Sequence, residues 1–199
     1  MNMSSGYGAA DDETSELLLQ EALGVGYRFF DTAAMYGDGH NERLLGRALK
    51  GRRQEFILAS KCGLSKDAGG KPRVNGRPEV LKRECEQSLR RLQMDEIDLY
   101  YLHRLDPDVP VEESVGAMGE LLRQGKIRAL GLSEVSTETL RRAHREHPIS
   151  ALQSEYSLWS RTPERSILAA CEELGVSFVP FSPLGRGFLT GKATDVDQL

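Results

Sequence analysis

The sequence predicts an α/β fold in which parallel strands alternate with helices, of the kind that closes a sheet into a barrel. Two observations predict it. Six short apolar runs are each flanked by a stretch with helical spacing, and alternation of this sort puts the strands in parallel. Polar residues then stand at or just beyond the ends of three of those runs, in YRFFD, FILASK and IDLYYLH. A barrel of parallel strands gathers its C-terminal strand ends on one face, where side chains from distant parts of a chain converge.

The expected strands run from Tyr27 to Asp31, Phe56 to Lys61, Ile97 to His103, Ile127 to Ser133, Ala151 to Glu155 and Val176 to Phe181. Between them, Leu81, Cys85, Leu89 and Leu92 recur at helical spacing, as do Val111, Val115, Met118 and Leu122, so each set forms the apolar stripe of a helix. Pro78 and Pro163 suit first-turn positions, Ser136 and Thr162 can cap, and Gly51, Gly125 and Gly175 end their segments. The stretch from Ser65 to Pro78, rich in Gly, Lys and Pro, reads as a loop over the face where the strands end.

Composition bounds the function classes. The 199 residues carry a net charge of -4, which leaves no basic footprint for nucleic acid, and no run approaches the roughly 20 apolar residues of a membrane span. One domain over residues 1–199 is the expectation. There is no charged-then-apolar leader, and Cys62, Cys85 and Cys171 form neither a CxxC nor an even framework. Free thiols in a reducing cytoplasm are therefore expected.

Four residues carry the chemistry: Asp31, Tyr36, Lys61 and His103. Singly, each has an ordinary structural reading: a turn cap, loop packing, a snorkelling lysine and a satisfied core histidine. Together they form a proton-donating set. A phenol yields its proton more readily beside an ammonium, and a buried ammonium stays charged beside a carboxylate. A histidine on a neighbouring strand end can hydrogen-bond a carbonyl oxygen and turn it toward the phenol.

The segments GYRFFDTAAMYGDGHNERLLGRAL (from Gly26), FILASKCG (from Phe56), IDLYYLHRLDP (from Ile97), GKIRALGLSEVS (from Gly125), LQSEYSLWSR (from Leu152) and PFSPLGRGFLTGK (from Pro180) resemble the aldo-keto reductases. Ordered motifs spread over nearly the whole chain make the resemblance specific. It implies a TIM-type (β/α)8 barrel, incomplete here with about six of its eight βα units. It also implies reduction of a small-molecule carbonyl substrate by hydride from NADPH, with NADH not excluded, and no metal. Asp31, Tyr36, Lys61 and His103 match the catalytic tetrad, with Tyr36 as general acid.

By the same resemblance Ser133 and Gln153 match positions that hydrogen-bond the nicotinamide carboxamide, and Phe181 one that stacks on its ring. Glu134 stands where many members have Asn; ionised, it can accept from the carboxamide NH2 but cannot donate to its oxygen. Ser182, Leu184, Gly185 and Arg186 belong to a segment similar to the loop over the pyrophosphate, where backbone amides can hold anions.

The resemblance further implies that the barrel's first strand precedes this chain and its eighth follows it. The strands beginning at Tyr27 and Val176 would then be unpaired edges, open to self-association. A non-catalytic nucleotide-binding or scaffold relative, or an inactive truncated fragment, are the alternative readings. His144 and His147 form an HxxH pair without a third ligand, better read as a helix terminus than as zinc ligands. Trp159 and Tyr156 read either as pocket lining or as core packing, and no GxGxxG fingerprint occurs.

Overall fold

The computed structural model describes residues 3–4, 11–67 and 69–191, the Arg186 side chain excepted. In chain order the elements are α1 (Asp12–Gly24), β1 (Phe29–Asp31), α2 (His40–Ala48), β2 (Ile57–Cys62), β3 (Leu64–Lys66), β4 (Pro72–Val74), α3 (Pro78–Leu92), β5 (Ile97–Leu102), α4 (Val111–Arg123), β6 (Ile127–Ser133), α5 (Thr137–Glu146), β7 (Ala151–Glu155), α6 (Ile167–Leu174) and β8 (Ser177–Phe181). Short 3-10 helices cover Arg53–Glu55, Thr162–Arg165 and Gly185–Thr190.

Six strands form one sheet in the order β1-β2-β5-β6-β7-β8, every pair parallel. This is an incomplete (β/α)8 barrel. The register runs Asp31↔Ala59, Lys61↔Tyr101, Leu102↔Leu132, Ser133↔Gln153 and Glu155↔Phe181.

Two apolar layers separate the faces of the sheet. Leu44, Leu58, Leu81, Tyr100, Met118, Leu130 and Leu152 belong to the large core between sheet and helices. Ala59, Leu99, Tyr101 and Ala151, with Ala129 and Val179 against them, form a smaller cluster on the opposite, inner face. Strand side chains alternate between faces, so the inner face belongs to odd-numbered positions from β2 to β8. Lys61, Ser133, Gln153 and Phe181 follow the same parity. So does Asp31, because its neighbour Phe30 lies in the outer core.

Local signals account for most element ends. Pro78 opens α3, Ser136 Oγ accepts the Thr139 amide at the start of α5, and Gly175 closes α6 with φ of 67°. Gly131 is required by a close approach: a Cβ there would lie 2.3 Å from the Tyr101 ring of its register partner.

Three expectations are corrected. Residues 64–74 are not a plain loop, because β3 and β4 pair antiparallel, Leu64 opposite Val74, behind a turn in which the Asp67 carboxylate accepts the Gly69 and Lys71 amides. β1 begins at Phe29 rather than Tyr27, since the Tyr27 amide still donates to Ala22 O at the end of α1. Thr162 makes no side-chain cap and instead begins a 3-10 turn.

Candidate active site

β1, β2 and β5 deliver Asp31, Lys61 and His103 to the same end of the sheet, and the turn after β1 brings Tyr36 over them. The Lys61 side chain, 1% exposed, runs up the inner face. Its Nζ donates to Asp31 Oδ1 and to Thr32 O at 2.9 Å. That ammonium lies 5.2 Å from the centre of the Tyr36 ring and 5.8 Å from that of Tyr101, so it sits between two aromatic faces. Asp31 uses its other oxygen to accept from Gln153 Nε2 at 2.7 Å. A hydrogen-bonded chain thus joins β1, β2 and β7 across the inner face.

His103 packs edge-on against Tyr36, ring centres 5.9 Å apart. Burial, then Lys61 and Arg104, pushes its imidazole down to about 3, so it is neutral at ordinary pH. Its Nδ1 is buried without a hydrogen-bond partner among the described residues. A buried lone pair without a partner is tolerated better than a buried N–H without an acceptor. The favoured tautomer therefore carries its proton on Nε2, as a donor.

Asp31, Tyr36, His103 and Gln153, with Lys61 buried beneath them, line a cleft of about 930 Å³ together with Phe29, Met35, Leu64, Arg104, Ser133 and residues of the segment from Val179 to Leu184. Ser133, Gln153, Phe181, Ser182 and Leu184 all face it. Ser182 has φ of 50° and Gly185 of 54°, where the chain turns from β8 into the 3-10 helix.

Glu134 stands apart from the cleft lining: with φ of 55°, its carboxylate turns to accept the Glu155 amide at 2.7 Å, tying β6 to β7. The Arg186 side chain falls outside the described residues. His144 Nδ1 accepts the Ile149 amide at 3.2 Å beyond the end of α5, a structural task. Trp159 packs on Phe188 rather than in the cleft.

The reading from sequence missed Arg104 and Met35 in the lining. Arg104 had a signal, since it directly follows His103 at a strand end.

A parallel strand–helix sheet that sets a buried lysine, paired with an aspartate, beside a tyrosine and a neutral histidine lining one cleft defines a barrel with its candidate chemistry at the C-terminal strand ends. The aldo/keto reductase family model matches residues 1–199, and the chain belongs to this family. It is 47% identical over 176 residues to the probable aldo-keto reductase 1 of Glycine max, a stretch that covers 88% of this chain and 51% of that protein. The chain thus spans about half the length of this curated relative.

Among solved structures it resembles the aldo-keto reductase AKR11C1 of Bacillus halodurans in its holo form, at 35% identity and a TM-score of 0.87, over 98% of this chain and 64% of that one. It also resembles the aldo/keto reductase of Klebsiella pneumoniae in complex with NADP and acetate, at 31% identity and a TM-score of 0.78, over 96% of this chain and 64% of that one.

Proposed function

We propose that this chain reduces an aldehyde or ketone to the alcohol, with NADPH as hydride donor and Tyr36 as the general acid. The observation that carries the proposal is the joint setting of Lys61: an ammonium held by Asp31 and lying over the Tyr36 ring. When bound, NADPH supplies the hydride.

The protein's own residues do the rest. As charge builds on the carbonyl oxygen, Tyr36 gives it a proton and becomes a phenolate beside Lys61, whose positive charge stabilises it. Asp31 keeps that ammonium charged inside the protein. His103, neutral and donating from Nε2, holds the same oxygen toward Tyr36 by a hydrogen bond and leaves the proton transfer to the phenol.

The cleft residues fit a nicotinamide group. Ser133 Oγ and the Gln153 amide offer donors and acceptors for a carboxamide, and Phe181 an aromatic face for the ring. The turn through Ser182, Leu184, Gly185 and Arg186 would carry the pyrophosphate. The relative from Klebsiella pneumoniae, solved with NADP, supports the choice of cofactor. Three buried free thiols, Cys62, Cys85 and Cys171, suit a reducing compartment such as the cytoplasm. No described helix is long and apolar enough to cross a membrane.

The test is isotopic. Incubated with an aromatic aldehyde and NADPH deuterated at C4 of the nicotinamide on the transferred face, the chain should yield alcohol with deuterium on the carbinol carbon. Alcohol formed without that label would refute hydride transfer from NADPH, and none at all from a folded chain that binds NADPH would refute carbonyl reduction.

A further inference from the structure

Among the described residues, Asp31 and Arg104 are the two lining the cleft that carry a formal charge with His103 neutral. Asp31 is spent on Lys61 and Gln153. Arg104 is not offset in this way. Its Nη1 donates to His103 O at 2.7 Å and to Ser133 Oγ at 3.1 Å, which fixes the guanidinium between the ends of β5 and β6. Among the described residues its Nε and Nη2 have no hydrogen-bond partner, and no carboxylate lies within ion-pair distance of it.

The nearest acid in sequence is already committed. Asp106 accepts the Gly76 amide at 2.9 Å and the Asp108 amide at 3.0 Å, holding the loop after β5 against the end of the β3–β4 hairpin. A half-buried guanidinium with an open N–H edge, in a cleft with largely apolar walls, is built to take a planar anion in two parallel hydrogen bonds.

We propose that Arg104 anchors a carboxylate that the carbonyl substrate carries next to its carbonyl carbon, so that 2-oxo acids are the favoured substrate class. The inference rests on the carbonyl-reduction reading, because it takes His103 as the group that holds the carbonyl oxygen. Arg104 is the next residue along the chain and is pinned to the His103 carbonyl, so both groups can reach adjacent carbons of one small molecule. The alternative anion is the cofactor's pyrophosphate. Its expected loop follows β8, two strands beyond β6 in the sheet order, whereas Arg104 stands between β5 and β6.

The experiment reads binding, so it stands whether or not turnover occurs. The chain, loaded with NADP+ to prevent reduction, is titrated calorimetrically with phenylglyoxylate and with its neutral methyl ester. The wild type should bind the acid at least about tenfold more tightly than the ester, the range for a hydrogen-bonded charge pair. In Arg104→Gln that preference should vanish, and in Arg104→Lys part of it should return. Circular dichroism checks that each variant is folded.

Equal binding of acid and ester by the wild type, or binding of neither, would overturn the proposal. So would an Arg104→Gln variant that keeps the acid preference but loses tenfold in NADP+ affinity, which would give the guanidinium to the cofactor. Carbonyl reduction fails on a different result: no NADPH-dependent reduction of the neutral ester by a chain that binds it.

Discussion

At the scale of single residues, the Lys61–Asp31 pair bears most of the cost of the site. Lys61 is almost wholly buried while Asp31 keeps partial access to solvent, so removing the carboxylate strands the ammonium. Asp31→Asn should lower stability by about 3 kcal/mol at neutral pH, the range for breaking a buried pair from one side; urea denaturation would measure it. The more conservative Asp31→Glu should recover part of the loss.

His103 sets a pH dependence of defined sign. Its folded form resists protonation down to about pH 3, whereas an unfolded histidine takes a proton near pH 6.5. Below pH 6.5 the unfolded state therefore binds more protons, and stability falls as pH falls. Between pH 6.5 and 5 the contribution is about 2 kcal/mol, from 1.4 kcal/mol per pH unit. His103→Gln should remove that part of the acid sensitivity, seen as a smaller shift of the urea midpoint than in the wild type. An unchanged shift would mean that the imidazole is protonated in the folded chain.

These residues were legible in the sequence because each ends an apolar run, and period-two alternation puts them on one face. Arg104 was not. It lies beyond the last residue of β5 and breaks the odd-numbered parity of the inner face, so only the geometry of the loop turns it into the cleft.

At the scale of elements, β5 and β6 fit together through one contact that fixes the floor of the site. The Tyr101 ring lies across Gly131, and the same ring packs beneath the Lys61 ammonium. Gly131→Ala would raise strand propensity but force the ring aside, and overpacking of this kind typically costs about 1–3 kcal/mol. We expect a destabilised chain whose carbonyl reduction is also slowed, because Lys61 loses its lower aromatic face. A variant with full stability and full rate would show that the ring has room to move.

The six strands were readable because their apolar runs are bounded by turn residues. The β3–β4 hairpin was not: Leu64–Lys66 and Pro72–Val74 are three residues each and carry Lys, Pro and Arg, a composition that also describes a loop. Its pairing depends on the Asp67 turn and on the anchorage of Gly76 by Asp106, which links positions 30 residues apart.

At the scale of the whole molecule, the sheet has two sides without a partner strand among the described residues. β1 and β8 are its terminal strands, and Phe29 and Ile57 near the β1 side are 42% and 50% exposed. Unpaired backbone beside exposed apolar side chains favours pairing with another chain. The 199-residue chain is expected to self-associate as its concentration rises, which sedimentation velocity would record as a rising weight-average coefficient; a single monomer boundary across a hundredfold range would contradict this. The edges follow from strand order and could be anticipated from the family resemblance, but which apolar residues they expose could not.

The most direct test of the account is a single-turnover comparison of the wild type with Tyr36→Phe, each preloaded with NADPH and mixed with an aromatic aldehyde while nicotinamide absorbance is followed. We predict a wild-type transient that is lost, or slowed by about a thousandfold or more, in the variant, with NADPH affinity retained; general acid catalysis is commonly worth 10²–10⁴-fold. A Tyr36→Phe variant that oxidises NADPH at the wild-type rate would contradict the assignment of Tyr36 as the proton donor, and with it the role given to the Lys61–Asp31 pair.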